Sequence, residues 1–261
     1  MMENKKIKLI LPNLFTCANI VLGFLAITYC LEQMYVVASW MIIVSLCFDG
    51  LDGKIARLTK THTEFGIELD SLADIIVFGI SPAILMFESF LHRFESLGVV
   101  IATIYVICGA LRLARFNVFT EDNDKKENFS GLPIPAAAAI IATTFIFFDK
   151  IRSIDEFNPY LNAFFNLADG ETIPTGFIVI ILGTALLMVS KIEYRTFHHF
   201  IFDTENKFRM VVSLLFIVGF FIFPSLFSLP IMMIYVLSGI YRWIKLNILR
   251  EKIEDMETNV E

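Results

Sequence analysis

Charge is sparse in this sequence. Only 18% of its residues are Asp, Glu, Lys or Arg, against 56% that are hydrophobic, and the mean hydropathy is +0.69. That composition excludes an ordinary soluble domain, so much of the apolar surface has to face lipid. Cysteine is scarce as well: Cys17, Cys30, Cys47 and Cys108 lie inside apolar runs without metal-ligand or redox spacing, which argues against a disulfide framework and against zinc. The long apolar runs lack the period-two alternation of membrane-barrel strands. Internal repeats and low-complexity segments are absent too. Nor is there a basic excess. The formal charge of −6 arises largely from acidic loops and the tail after Arg250, and it gives no reason to expect nucleic acid as a partner.

What is there instead is a series of apolar stretches of the ~20 residues that a helix needs to cross the hydrocarbon core. They fall roughly at 11–31, 34–52, 70–90, 96–116, 132–149, 174–191, 209–227 and 229–246. The pattern predicts an all-α, polytopic membrane bundle of about eight transmembrane helices with both termini on one side. Placing the termini in the cytoplasm leaves only Arg93, Lys150 and Arg152, of 21 Lys and Arg, on the outer face, as the positive-inside rule requires. Lys5 and Lys6 precede the first run as in a secretory signal. The run, however, is long, has no small-residue cleavage site and is followed by further spans, so an uncleaved helix is expected. The whole of 1–261 is read as one integral membrane domain.

Four carboxylates interrupt the second and third runs where they meet the cytoplasm. From Asp49 the chain reads Asp49-Gly50-Leu51-Asp52-Gly53-Lys54-Ile55-Ala56-Arg57, and Gly66, Asp70 and Asp74 follow. On a helix, Asp49 and Asp52 at i, i+3 share a face, as do Asp70 and Asp74 at i, i+4. The pairs belong to consecutive antiparallel helices and so can converge. Clustered carboxylates repel one another unless a cation neutralises them, and an oxygen-only donor set favours Mg²⁺ or Mn²⁺. The bland alternative is a set of solvated helix-end acids, which is costly beside a bilayer, where ionisable groups usually mark function. Gly53 and Ala56 let a substrate or a neighbouring helix approach the backbone, and Arg57 either neutralises a pyrophosphate or anchors the helix at the interface. Arg112 and Arg115 are read either as contacts to a carboxylate or lipid phosphate, or as interfacial side chains that snorkel. Pro133 and Pro135 suit the first turn of the fifth span.

The spacing D-x-x-D-G-x-x-A-R-x8-G-x3-D-x3-D resembles in full the signature of the CDP-alcohol phosphotransferases. The resemblance implies a transmembrane helical enzyme, usually a homodimer, in which Asp49, Asp52, Asp70 and Asp74 surround divalent metal and Asp74 is the general base. It implies too that Gly53, Ala56 and Arg57 line the CDP pocket, and that Gly66 lets the third helix begin close to the nucleotide. The motif-bearing core would cover about 11–191, with two further helices at about 209–246.

Leu11-Pro12-Asn13-Leu14-Phe15-Thr16-Cys17-Ala18-Asn19, the segment Ala110 to Asn117 and the segment Gly131 to Ala138 resemble the serine-using branch of that family. Asn19 stands where relatives that use a glycerophosphate carry Arg. Lys191 to His198 matches that branch only loosely. The implied reaction transfers a phosphatidyl group from CDP-diacylglycerol to L-serine at the cytoplasmic face of a bacterial inner membrane. Asn19, Arg112 and Arg115 are candidate contacts to the acceptor or lipid phosphate. Another acceptor, such as glycerol 3-phosphate or inositol phosphate, is the nearest alternative. A transporter with a carboxylate cluster is the alternative of a different class.

Overall fold

A computed structural model describes residues 2–59, 63–121, 131–152, 175–192, 194, 219, 220 and 222–258. Every regular element among the described residues is helical. The long apolar helix α1 (Met2–Leu31) turns back into α2 (Tyr35–Thr59) through Gln33, whose φ of 62° is the left-handed twist of a tight reversal. The Met34 amide closes that turn on the Tyr29 carbonyl at 2.8 Å. The two helices pack along their length, with the rings of Phe15 and Phe48 6.1 Å apart near the far end.

The third span is not a plain α-helix. It consists of α3 (Glu64–Asp74), a π-helical turn (Ile75–Ile80) and α4 (Ser81–Ser89). Pro82 accounts for the change: it has no N–H to offer, and its ring crowds the carbonyl of Phe78 four residues back. Two side chains take up carbonyls of this turn. Tyr105 Oη donates to the Phe78 carbonyl at 3.1 Å, and Ser81 Oγ donates to the carbonyls of Ile76 at 2.9 Å and Gly23 at 3.1 Å. Glycine is required at 23 because a Cβ there would lie 2.8 Å from Val77 Cγ2, so α1 meets the π turn backbone to side chain.

A 3₁₀ turn (Leu91–Phe94) leads into α5 (Glu95–Glu121). The alanine-rich α6 (Ile134–Arg152) opens with the Ala137 amide bonded to the Pro133 carbonyl. Ala137, Ala138 and Ala142 on α6 are fully buried, and small side chains of this kind let helices approach closely in a membrane. The rings of Phe90, Phe145, Phe148 and Phe177 close the opposite end of the bundle from the acidic residues, with centroids as near as 4.7 Å. Two further helices among the described residues are α7 (Thr175–Val189) and α8 (Pro224–Thr258).

Among the described residues, six helical stretches are long and apolar enough to cross a membrane: Pro12–Leu31, Tyr35–Ile55, Glu64–Ser89, Leu91–Val118, Ile134–Ile151 and Pro224–Ile248. Phe177–Val189 is a shorter apolar helix at the expected sixth span. Most of the expected stretch 209–227 lies outside the described residues. One boundary differs from expectation: α8 already starts at Pro224, so the break before the last span falls at Phe223 and not near 228. Pro224 fits the first helical turn, where no helical acceptor waits for its missing N–H. Large apolar side chains are exposed along these helices, among them Phe24 at 65% and Leu186 at 71%. Water would not tolerate such a surface and lipid does, so the chain is an integral membrane protein.

Candidate active site

The carboxylates of Asp49, Asp70 and Asp74 converge, each offering an oxygen within 4.8 Å of the others. α2 descends to Asp49 while α3 starts again at the same level, so the helical spacing brings the two elements' acids to one point. The start of α3 is fixed locally. Thr63 is its N-cap, extended at φ −117° and ψ 146°, and its side-chain oxygen accepts the Gly66 amide at 3.0 Å. A Cβ on Gly66 would lie 3.0 Å from Thr63 Oγ1 and 3.3 Å from Asn13 Oδ1. Gly66 therefore admits the cap and the side chain of α1 together. That is a close approach of α1, where the family resemblance assigns a close approach of nucleotide.

Asp74 is the most enclosed of the three, 8% exposed, and Asp49 and Asp70 are half-buried. Oδ1 of Asp70 and Oδ1 of Asp74 are buried without a hydrogen-bond partner. Three anions at this separation repel, and orphaned carboxylate oxygens inside a bundle are unfavourable unless something positive fills the space between them. All the donors are oxygen, which suits a hard divalent cation such as Mg²⁺ or Mn²⁺. The residues present thus fit a divalent metal. The expected fourth ligand, Asp52, lies on α2 with Ala56 and Arg57, but the side chains of these three fall outside the described ones. Gly53 follows on the same helix, half-buried.

The other expected residues fall into different environments. Arg112 on α5 is half-buried, lies within electrostatic reach of Asp74 and Tyr235, and stacks its guanidinium over Phe116 at 5.2 Å. Arg115, one turn on, donates instead to the carbonyls of Val189 at 3.3 Å, Met188 at 3.4 Å and Ser190 at 3.4 Å. It thereby closes the C-terminal end of α7, where carbonyls have no helical partner. Gly131 joins the same knot at φ 99°, its amide bonded to the Ile192 carbonyl at 2.9 Å; a Cβ there would come 2.2 Å from the Met188 oxygen. Asn19 on α1 is fully buried, and neither atom of its amide group has a hydrogen-bond partner. It lies between Asn13, beside Gly66, and Gly23, beside Val77, which puts it at the height of Asp70 to Asp74 on the neighbouring span.

Two contributors were not foreseen from the sequence. Asn117 Nδ2 donates to Ser71 Oγ at 2.8 Å, tying the end of α5 to the residue beside Asp70. Tyr105 supports the π turn that begins directly after Asp74. Asn117 belongs to the segment that carries the family resemblance. The Ser81-Pro82 pair was the available sign that a carbonyl at 78 would need a donor.

The family model for CDP-alcohol phosphatidyltransferases matches residues 9–169 of this chain. The chain is similar to the CDP-diacylglycerol–serine O-phosphatidyltransferase of Helicobacter pylori, with 36% identity covering 89% of this chain and 90% of that protein. It is similar as well to the enzyme of the same name from Methanocaldococcus jannaschii, at 35% identity over 88% of this chain and 92% of the relative. An archaetidylserine synthase from Methanothermobacter thermautotrophicus is 35% identical over 74% of each chain.

Proposed function

The chain belongs to the CDP-alcohol phosphatidyltransferase family, and from that membership we propose that it transfers the phosphatidyl group of CDP-diacylglycerol to L-serine, giving phosphatidylserine and CMP. The observation that carries the chemistry is the meeting of Asp49, Asp70 and Asp74 from two successive spans within 4.8 Å. Serine as the acceptor is supported by relatives of that name that match nearly the whole chain.

Asp49, Asp52, Asp70 and Asp74 would hold Mg²⁺ or Mn²⁺. A bound divalent cation supplies neutralisation of the pyrophosphate charge, which lowers the barrier to phosphoryl transfer. The chain's own residues position and move protons. Asp74, enclosed beside Asp49, accepts the proton of the serine hydroxyl. The freed oxygen attacks the phosphorus nearest the lipid, the bond from that phosphorus to the bridging oxygen breaks, and CMP leaves with the electron pair. Gly53, Ala56 and Arg57 line the nucleotide side, with Gly66 holding α3 close to them. Arg112 and Asn19 face the acceptor or lipid phosphate, while Arg115 holds the end of α7 as the wall behind Arg112.

Residues 1–261 act as one domain, working as a homodimer in the bacterial inner membrane with the carboxylates at the cytoplasmic face. The distribution of basic residues supports that orientation. The test is CMP release by the purified protein in detergent with CDP-diacylglycerol and Mn²⁺ or Mg²⁺. L-serine is expected to drive release, EDTA to abolish it and added metal to restore it. Release with glycerol 3-phosphate or inositol phosphate in place of serine would keep the chemistry and replace the acceptor.

A further inference from the structure

Beyond the carboxylates a second polar group crosses the bundle. Tyr194 follows the end of α7, and its ring lies against α8 over Gly239. A Cβ at 239 would come 2.4 Å from Tyr194 Cε1, so the missing side chain is what seats the ring. One turn earlier on α8, Tyr235 is buried at 3% exposure and packs on Tyr194 with centroids 5.7 Å apart and planes at 38°. Tyr194 Oη is buried and has no hydrogen-bond partner. Tyr235 is within electrostatic reach of Arg112, and Arg112 is within electrostatic reach of Asp74. Ring contact thus joins Tyr194 to Tyr235, and electrostatic interaction joins Tyr235 to Arg112 and Arg112 to Asp74.

A buried phenol without an acceptor is unfavourable until one arrives, and Arg112, with Asp74 in electrostatic reach, has its guanidinium stacked on the ring of Phe116. Arg presents a planar fork of donors suited to a carboxylate, and a phenol adds a further donor. We propose that Arg112, Tyr194 and Tyr235 form the subsite that holds the carboxylate of the acceptor amino acid, so that its hydroxyl is turned toward Asp74. The proposal rests on the serine reading above and gives the last helix a role in acceptor choice.

A lipid phosphate is the competing anion, and kinetics with the full-length protein separate the two. The KM values for L-serine and for CDP-diacylglycerol are measured for wild type, Tyr194→Phe, Tyr235→Phe and Arg112→Lys, with binding of CDP-diacylglycerol followed in parallel as thermal stabilisation. Each variant is expected to raise the KM for L-serine by about tenfold or more, equivalent to about 1.4 kcal/mol, and to leave the KM for CDP-diacylglycerol within about twofold of wild type. A variant too slow to assay yet still stabilised by CDP-diacylglycerol also supports the subsite. A rise in the KM for CDP-diacylglycerol, loss of that stabilisation, or no change in either KM would overturn it while leaving serine as the acceptor of the wild type. Wild-type turnover of an alcohol without a carboxylate, and none of serine, would overturn the serine reading and the subsite together.

Discussion

At the scale of single residues, the decisive distinction is between carboxylates that share a point and basic groups that do not. Asp49, Asp70 and Asp74 meet, and Oδ1 of Asp70 and Oδ1 of Asp74 are buried without a hydrogen-bond partner, so removing one charge changes what the cluster can hold. Asp70→Asn is expected to raise the Mn²⁺ concentration for half-maximal CMP release by tenfold or more, about 1.4 kcal/mol of metal binding, and excess metal should recover part of the rate. Asp74→Asn should lower turnover by about two orders of magnitude, as expected for loss of a general base, and excess metal should not recover it. Metal titration of the two purified variants distinguishes these outcomes; equal rescue of both would remove Asp74 from the proton-transfer role. The convergence of Asp49 with Asp70 and Asp74 was legible in the sequence because i, i+3 and i, i+4 spacing fixes a helical face and a short connection makes neighbours antiparallel. The placement of Arg115 was not legible. Its sequence neighbours are the same whether it meets a ligand or the carbonyls of Met188, Val189 and Ser190, more than 70 residues away in the chain.

At the scale of elements, hydropathy located the spans but said nothing of the π turn, since Ile75–Ile80 is as apolar as any helix interior. An extra residue in a helical turn rotates everything beyond it by about 100° relative to a regular helix. Here it lets Asp74 face Asp49 on α2 while Ser81 faces the Gly23 carbonyl on α1. Tyr105 is the support whose removal tests this. Tyr105→Phe leaves a buried Phe78 carbonyl without its partner, a loss of about 1–3 kcal/mol, and should lower the thermal midpoint in detergent by a few degrees. Because the turn adjoins Asp74, the same variant should also weaken activation by Mn²⁺. Thr103→Val, whose hydroxyl bonds only to the Val99 carbonyl of its own helix, is the comparison and should shift neither. A Tyr105→Phe protein of lower stability with unchanged Mn²⁺ dependence would mean that the π turn holds the bundle but does not aim the acids.

At the scale of the whole molecule, the bundle is asymmetric across the membrane. The acids, Arg112, Arg115 and the Thr63 cap lie toward one end, and the phenylalanine cluster around Phe177 lies toward the other, next to the short turn Leu91–Phe94. This asymmetry decides where substrate must enter. CDP-diacylglycerol keeps its acyl chains in the bilayer and its nucleotide in water, so a site at one rim is reached without moving a charged headgroup across the hydrocarbon core. The distribution of Lys and Arg supports the proposal that this rim faces the cytoplasm, and that orientation can be checked apart from activity. In a variant lacking its four cysteines, single cysteines replace Arg93 on the turn before α5, Lys191 after α7 and Lys245 on α8, all exposed positions. A membrane-impermeant maleimide applied to intact spheroplasts should label the Arg93→Cys protein, and should label Lys191→Cys and Lys245→Cys only after lysis. Labelling of Lys191→Cys in intact spheroplasts would put the carboxylates on the outer face, away from a cytoplasmic supply of serine and CDP-lipid headgroups, and the proposed reaction would then lack its substrates on the side where its acids lie.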